Sequence, residues 1–246
     1  MVLVSGGTQG VGAGVARAAV REGAVVLVTG RRPDVGEAFA DDCGAKYLRA
    51  DVADVVSARR SVNETVARHG RIDGLVNAAG LTSRGTLLDT TPELFDRHVA
   101  VNLRGPFFLM QAAVADMVRR GEPGAIVNII SSSELGGQPY LSPYVATKAG
   151  LAGLTRNAAH AHRFDRIRIN GLDIGWTDTE GEDATQRRFH GATDGWRERA
   201  GERLPMGRLA AVDEIADFVV FLLSARSGVV TGSVIDWDQN VLGGMD

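Results

Sequence analysis

The sequence predicts a single α/β domain, a doubly wound parallel sheet of about seven strands with helices on both faces. Three observations predict it. Short apolar runs alternate with helical stripes along the whole chain, the pattern of repeated strand–helix–strand units. A glycine-rich turn follows the first of those runs and opens the first helix. The length of 246 residues, with no internal repeat and no low-complexity linker, suits one such domain spanning 1–246.

Val2-Leu3-Val4 is the first strand, and Ser5-Gly6-Gly7-Thr8-Gln9-Gly10-Val11-Gly12 follows at once. Past the glycines, Val11, Val15, Ala18 and Ala19 form an apolar stripe at helical spacing. Backbone N–H groups at a helix start attract an anion, so this order makes a phosphate cradle. Gly6, Gly10 and Gly12 supply the tight turn, the close approach and the helix–strand packing, with Thr8, Gln9 and Val11 between them. Ala24–Thr29 is the second strand and ends in Gly30-Arg31-Arg32. A fold reading NAD wants an acid about 20 residues past the glycines, to bond the ribose 2′-OH. Gly30 has no side chain, and Arg31 and Arg32 offer two cations to a 2′-phosphate. NADP is therefore expected over NAD, against the plain alternative of a solvated arginine pair.

Asp34–Asp42 reads as a short helix and Ala45–Leu48 as the third strand, with Asp51-Val52 at its end. Asp51 can accept from an adenine amino group; equally, it can cap the helix that begins near Asp54 and runs over Val55–His69. Ile72–Val76 is the fourth strand, and the small residues of Asn77-Ala78-Ala79-Gly80 let a flat ring lie against backbone. Pro92 opens a long helical region through Arg120, with Asn102 in its middle. A lone Asn there caps, kinks or bonds locally. Gly105-Pro106 supports a kink, which frees backbone carbonyls to hold water.

Ala125–Ile130 is the fifth strand, and the next helix, Pro143–His162, has Ser142 as N-cap and Pro143 at its first position. Tyr144 and Lys148, four residues apart, share one face of its first turns. A phenol and an ammonium at the positive end of a helix dipole favour the phenolate, so the tyrosine pKa is expected below its ordinary value of about 10. Ser131, at the end of the preceding strand, meets them from the other side. Together the three make an acid–base site, although a Tyr–Lys pair at this spacing is common by itself. Ile167–Leu172 is the sixth strand and Gly175-Trp176-Thr177-Asp178-Thr179 follows it. The segment from Glu180 to Arg203 is charged and aromatic, with Glu180, Glu182, Asp183, Phe189, His190 and Trp196. Val212–Leu223 is the last helix and Ser233–Ile235 the last strand.

These motifs, in this order, resemble the classical short-chain dehydrogenase/reductase family over essentially the whole chain: SGGTQGVG, Asp51-Val52, NAAG, Asn102, Ser131 and YVATK. Ser131 precedes Tyr144 by the family's usual 13 residues. The resemblance implies a Rossmann-type sheet and a catalytic tetrad of Asn102, Ser131, Tyr144 and Lys148. Tyr144 would exchange the substrate hydroxyl proton, Lys148 would lower its pKa and hold the nicotinamide ribose, and Ser131 would bond the substrate oxygen. Asn102 would pin a water linking Lys148 to bulk. The resemblance also implies cofactor contacts at Asp51, Val52, Asn77 and Gly80, and at Thr177 and Thr179 beside the nicotinamide carboxamide and phosphate. It makes 176–205 a substrate lid and the chain a homo-oligomer, a tetramer or dimer. Three departures are visible: Ser5 for Thr, Ala78 for a second Asn, which loosens the fourth strand's support, and Ile174 for Pro, which leaves its loop less rigid. The tail Asp236-Trp237-Asp238-Gln239 replaces the common Val-Asp-Gly-Gly.

Composition sets outer limits. A hydrophobic fraction of 44% and a charged fraction of 23% are ordinary for a globular protein, and 31 glycines imply many turns or close backbone approaches. The net charge of −3 gives no reason to expect nucleic acid or an anionic membrane. Cys43 is the only cysteine, which rules out an internal disulfide and a multi-cysteine metal site. No apolar run is long enough to span a membrane and no signal-peptide pattern opens the chain, so a cytoplasmic enzyme is expected. No metal is required, since cofactor and phenol divide the work. Ser133, Glu134, Gln138, Tyr140 and Trp176 at the pocket mouth favour a polar hydroxylated substrate such as a sugar or polyol. A 3-oxoacyl thioester reductase is the second reading, with Arg187-Arg188 as docking cations opposed by Glu180, Glu182 and Asp183. A non-catalytic NADP-binding sensor or scaffold is the third.

Overall fold

A computed structural model describes residues 1–241. Its seven strands are β1 (Val2–Ser5), β2 (Val26–Gly30), β3 (Lys46–Arg49), β4 (Gly74–Asn77), β5 (Gly124–Ile129), β6 (Ile167–Ile174) and β7 (Val234–Trp237). They form one parallel sheet in the order β3-β2-β1-β4-β5-β6-β7. The order reverses between β1 and β4, and a doubly wound sheet takes its ligand in the crevice beyond the strand ends at such a switch point.

Period-two alternation assigns the two layers. Val4, Val28 and Val127 face α1 (Gly10–Arg21), while Leu3, Leu27 and Ile126 turn the other way. The first side is closed by Val15 of α1 and by Ile215 and Val219 from the last long helix, Val212–Leu223. The second is closed by Val62 of the helix Val55–His69 and by Leu109 and Met117 of the helix Gly105–Arg120. Burying each such side chain contributes about 1.5–3 kcal/mol. Continuous apolar strands with both faces covered are what a parallel sheet requires.

The remaining helices, in chain order, are α2 (Pro33–Cys43), α3 (Val55–His69), α4 (Pro92–Val99), α5 (Gly105–Arg120), α6 (Ser142–Ala161), α7 (Glu180–His190), α8 (Trp196–Gly201) and α9 (Val212–Leu223). Three boundaries differ from the sequence expectation in ways that matter. The long helical region is two helices joined by a π-turn over Ala100–Arg104, centred on Asn102. Pro106, four residues after Asn102, has no N–H to donate to the Asn102 carbonyl, so the α pattern must break there. The last strand continues two residues past Ile235, because Asp236 and Trp237 pair with Asp173 and Ile174 of β6. The acidic side chains hid that strand from a hydrophobic pattern. At the start of α6 the N-cap is Leu141, and Ser142 is already helical, its hydroxyl donating to the Pro139 carbonyl at 3.2 Å. Ser142 is therefore not the N-cap, although Pro143 keeps its place in the first turn. Among the described residues no helix is long and apolar enough to cross a membrane.

Candidate active site

The glycine turn is tight for steric reasons. Gly6 has φ +71° and lies against the backbone of Ala79, which joins the ends of β1 and β4. A Cβ on Gly12 would overlap the Gly6 carbonyl, so the start of α1 can sit directly on the turn only without one. The first amides of α1 therefore point into the switch-point crevice, where an anion gains from the helix dipole. Thr179 reaches the same place from the β6 side: its Cγ2 is 3.6 Å from where a Cβ on Gly10 would be. Thr179 also caps α7, accepting from the Glu182 amide at 3.0 Å, and its hydroxyl proton remains free to donate. The Thr177 hydroxyl donates to the Gly175 carbonyl at 2.9 Å. Its neighbours' peptide groups form the bridge to Ala210, so the peptide groups of Thr177 itself face the other way, toward the crevice.

Gly30 is constrained by Thr8. A Cβ at Gly30 would lie 2.8 Å from the Thr8 hydroxyl, so a carboxylate at the strand end that an NAD reader uses would first have to turn Thr8 aside. Arg31 is exposed beside it, and Arg32 donates to the Gln9 side chain at 2.5 Å, tying the pair to the phosphate turn. The residues present fit a 2′-phosphorylated dinucleotide. Asp51 does not cap α3; Asp54 does, accepting from the Val56 amide at 3.0 Å. Asp51 accepts from the Ala53 amide at 3.0 Å through one oxygen, which leaves the other for an adenine edge. Val52 packs against Gly105, where no Cβ fits. Gly80 has open space around it. The Asn77 side chain turns into the sheet and donates to Asn128 at 2.7 Å, so only its backbone can face a cofactor. That bond, with Ala78 donating to the Ser5 carbonyl at 3.0 Å, holds the end of β4, and the loosening expected from Ala78 is not found.

The four residues of the expected tetrad converge at the carboxyl ends of β4 and β5. Tyr144 and Lys148 are both buried on α6. The Ser131 side chain acts on the Tyr144 phenol, lowering its pKa. Lys148 donates to the Ile129 carbonyl at 2.7 Å, one residue beyond which β5 turns toward Ser131. The expectation of a low tyrosine pKa does not hold in this arrangement. Burial is the largest influence and pushes the Tyr144 phenol up to about 12, with the Ser131 hydrogen bond pulling the other way. Burial likewise brings Lys148 down to about 8. The ammonium that was to lower the phenol is engaged with a backbone carbonyl and is itself weakened by desolvation, so burial outweighs the helix dipole.

Asn102 is a strut rather than a free water ligand. Its Oδ1 accepts from the Leu81 amide at 2.8 Å, and its Nδ2 donates to the Leu81 carbonyl at 3.0 Å and to Thr147 at 3.2 Å. It thus fastens the loop after β4 to α6. Ser133 and Gln138 bond each other at 3.1 Å, and the Trp176 indole donates to Glu182 at 2.8 Å while stacking on Trp196 at 6.0 Å. The Trp176 indole N–H is thus already taken, which leaves its ring face. Residues 180–203 are tied to one another: Trp196 is buried and donates to Asp183 at 2.7 Å, and Arg197 bonds both Asp178 and Asp183.

Two groups at the site were not foreseen. Arg84, after β4, donates to His190 at the end of α7 at 3.1 Å and lies over the Tyr140 ring at 5.2 Å, closing the mouth from three elements. Asp173, on β6, is buried and accepts from the Ser131 amide at 3.2 Å. Its acidic side chain inside a strand was the available signal.

Comparison with known proteins agrees with this geometry. A family model described as enoyl-(acyl carrier protein) reductase matches residues 6–241. The L-rhamnose 1-dehydrogenase (NAD(P)(+)) of Azotobacter vinelandii is 35% identical over 243 residues, 94% of this chain and 92% of its own. Among solved structures, a short chain dehydrogenase/reductase family protein superposes with a TM-score of 0.84 at 38% identity. A variant of actinorhodin polyketide ketoreductase with NADPH superposes with a TM-score of 0.91 at 28% identity. Each of the two covers 97% of this chain and 95% of the other.

Proposed function

The chain belongs to the short-chain dehydrogenase/reductase family and is an NAD(P)-dependent oxidoreductase; from that premise we propose that it moves a hydride between NADP(H) and a polar, hydroxylated small molecule such as a sugar or polyol. NADP(H), when bound along the glycine turn, supplies or accepts the hydride. The protein's part is to hold substrate and move the proton. Ser131 donates to the substrate oxygen and steadies the charge that develops there. Tyr144 carries the proton. With its pKa near 12 it rests as the phenol, ready to donate in reduction, whereas oxidation speeds up as pH rises and the phenolate fraction grows. Lys148 holds the nicotinamide ribose, and Asn102 keeps α6 in register with the loop after β4. Residues 176–205 act as the substrate lid of this one domain, with Arg84 and His190 as its clasp.

The observation that carries the substrate reading is the mouth itself. Arg84, His190, Gln138 and Ser133 present hydrogen-bonding groups there, and the similarity to a rhamnose dehydrogenase points the same way. The thioester reading is weakened at Arg187, which pairs with both Asp183 and Asp194, and keeps the exposed Arg188 as its docking cation. A scaffold without catalysis would have no use for a buried Tyr–Ser–Lys group. The homo-oligomer reading is supported by Phe107 and Val118, which are exposed apolar residues on α5. A coupled absorbance assay decides the substrate, run with NADP(H) and NAD(H) on L-rhamnose, other aldoses, polyols and a 3-oxoacyl thioester. Turnover of sugars or polyols with NADP is expected; turnover of the thioester alone would overturn the reading.

A further inference from the structure

We propose that Asp173 is a positioning residue of the active site: its carboxylate fixes the Ser131 backbone amide and so sets where the Ser131 hydroxyl stands. This rests on the reading of Tyr144 as the proton carrier. Asp173 points to the α6 side of β6, as the alternation with Leu172 and Ile174 requires, since those two pack on the opposite face. There it is only 1% exposed. Its Oδ1 accepts from the Ser131 amide at 3.2 Å, just where β5 ends and the catalytic loop begins. The fifth strand stops pairing with β6 at Leu172, so the Ser131 amide has lost its ladder partner and a side chain replaces it. A buried acid is costly unless it is tied to something, and this one is tied to the loop that carries Ser131.

Three charged groups and one backbone amide act on it. Glu134, on the short turn after Ser131, and Asp236, its register partner on β7, both raise the affinity of Asp173 for a proton, adding to burial. Arg156 of α6 and the Ser131 amide oppose them. The outcome is a carboxyl pushed up to about 7, which changes charge in the working range. Two groups of α6 feel that charge: it raises the pKa of Tyr144 and that of Lys148. Burial holds Tyr144 as the phenol; Glu182 of α7 and, least of the named groups, ionised Asp173 act in the same direction, while Ser131 and Arg84 oppose them.

Asn at this position keeps the acceptor and removes the charge, whereas Ala removes both. Two measurements separate the claim from the reading beneath it. In the free protein, the Ser131 amide resonance should move with pH through the Asp173 titration and stay flat in Asp173→Asn. An amide that does not move, or that moves alike in both proteins, overturns the positioning claim without any reference to activity. With L-rhamnose and NADP, the oxidation rate of Asp173→Asn relative to wild type should rise between about pH 6 and pH 8, by well under tenfold, because Asp173 is the least of the groups acting on Tyr144. Asp173→Ala should lose activity at every pH, and Asp173→Asn should recover the part due to the hydrogen bond. If Asp173→Ala does not fold, the Asn variant carries the test. A rate ratio between Asn variant and wild type that is constant across pH would mean a purely structural residue and overturn the charge effect on Tyr144. Absence of any rhamnose turnover in wild type bears on the substrate reading alone and leaves the amide measurement to decide.

Discussion

The two sides of the sheet's carboxyl edge are built from different materials. On the β1 side the crevice is made of backbone: a glycine turn, helix amides and, at Gly30, a strand end without a side chain. On the β5 side it is made of buried ionisable groups, Tyr144, Lys148 and Asp173, whose states depend on what surrounds them. A backbone site either fits or fails, because a Cβ cannot be tuned. A site of buried charges can be adjusted by every neighbour, and its acidity is a property of the fold rather than of the motif.

The contrast can be broken first on the backbone side. Gly12→Val puts a branched side chain into the Gly6 carbonyl, and NADPH affinity should fall at least about a hundredfold, or about 2.7 kcal/mol. Fluorescence titration measures it, with circular dichroism to confirm the fold. Arg31→Asp should act next, shifting the ratio of kcat/KM for NADP over NAD toward NAD by about tenfold or more, since a carboxylate repels the 2′-phosphate. An unchanged ratio would show that Arg31 does not read that phosphate. The smallest effect belongs to the mouth. His190→Ala removes one hydrogen-bond partner of Arg84, which is exposed, and should raise KM about two- to tenfold while leaving kcat nearly as it was.

The same contrast explains what the sequence made legible. The glycine spacing, the Gly30–Arg31 step and the order of strands were readable because backbone geometry and hydrophobic period are local. The convergence of Ser131, Tyr144 and Lys148 was readable through spacing and resemblance. The direction of the Tyr144 shift was not, since it follows from burial and from where the Lys148 ammonium points, toward Ile129. Asn102 looked like a water ligand, but Leu81, 21 residues away, occupies its amide. Arg84 and His190 lie 106 residues apart and meet only because α7 folds back over the mouth. The tail read as unusual because Asp236 and Trp237 extend a strand while Asp238 packs on Gly175 and Gln239 bonds Met206 and Arg208. That packing fixes the loop which Ile174, standing in for proline, was expected to loosen.

The central claim is a division of labour, in which the glycine cradle holds the cofactor and Tyr144 carries the proton. Tyr144→Phe tests it in a single protein, by NADPH titration and by turnover of whichever alcohol the coupled assay identifies. NADPH binding should stay within about threefold of wild type while turnover falls by at least about 10², the typical worth of a positioned acid–base group. Near-normal turnover by the Phe variant would contradict the account.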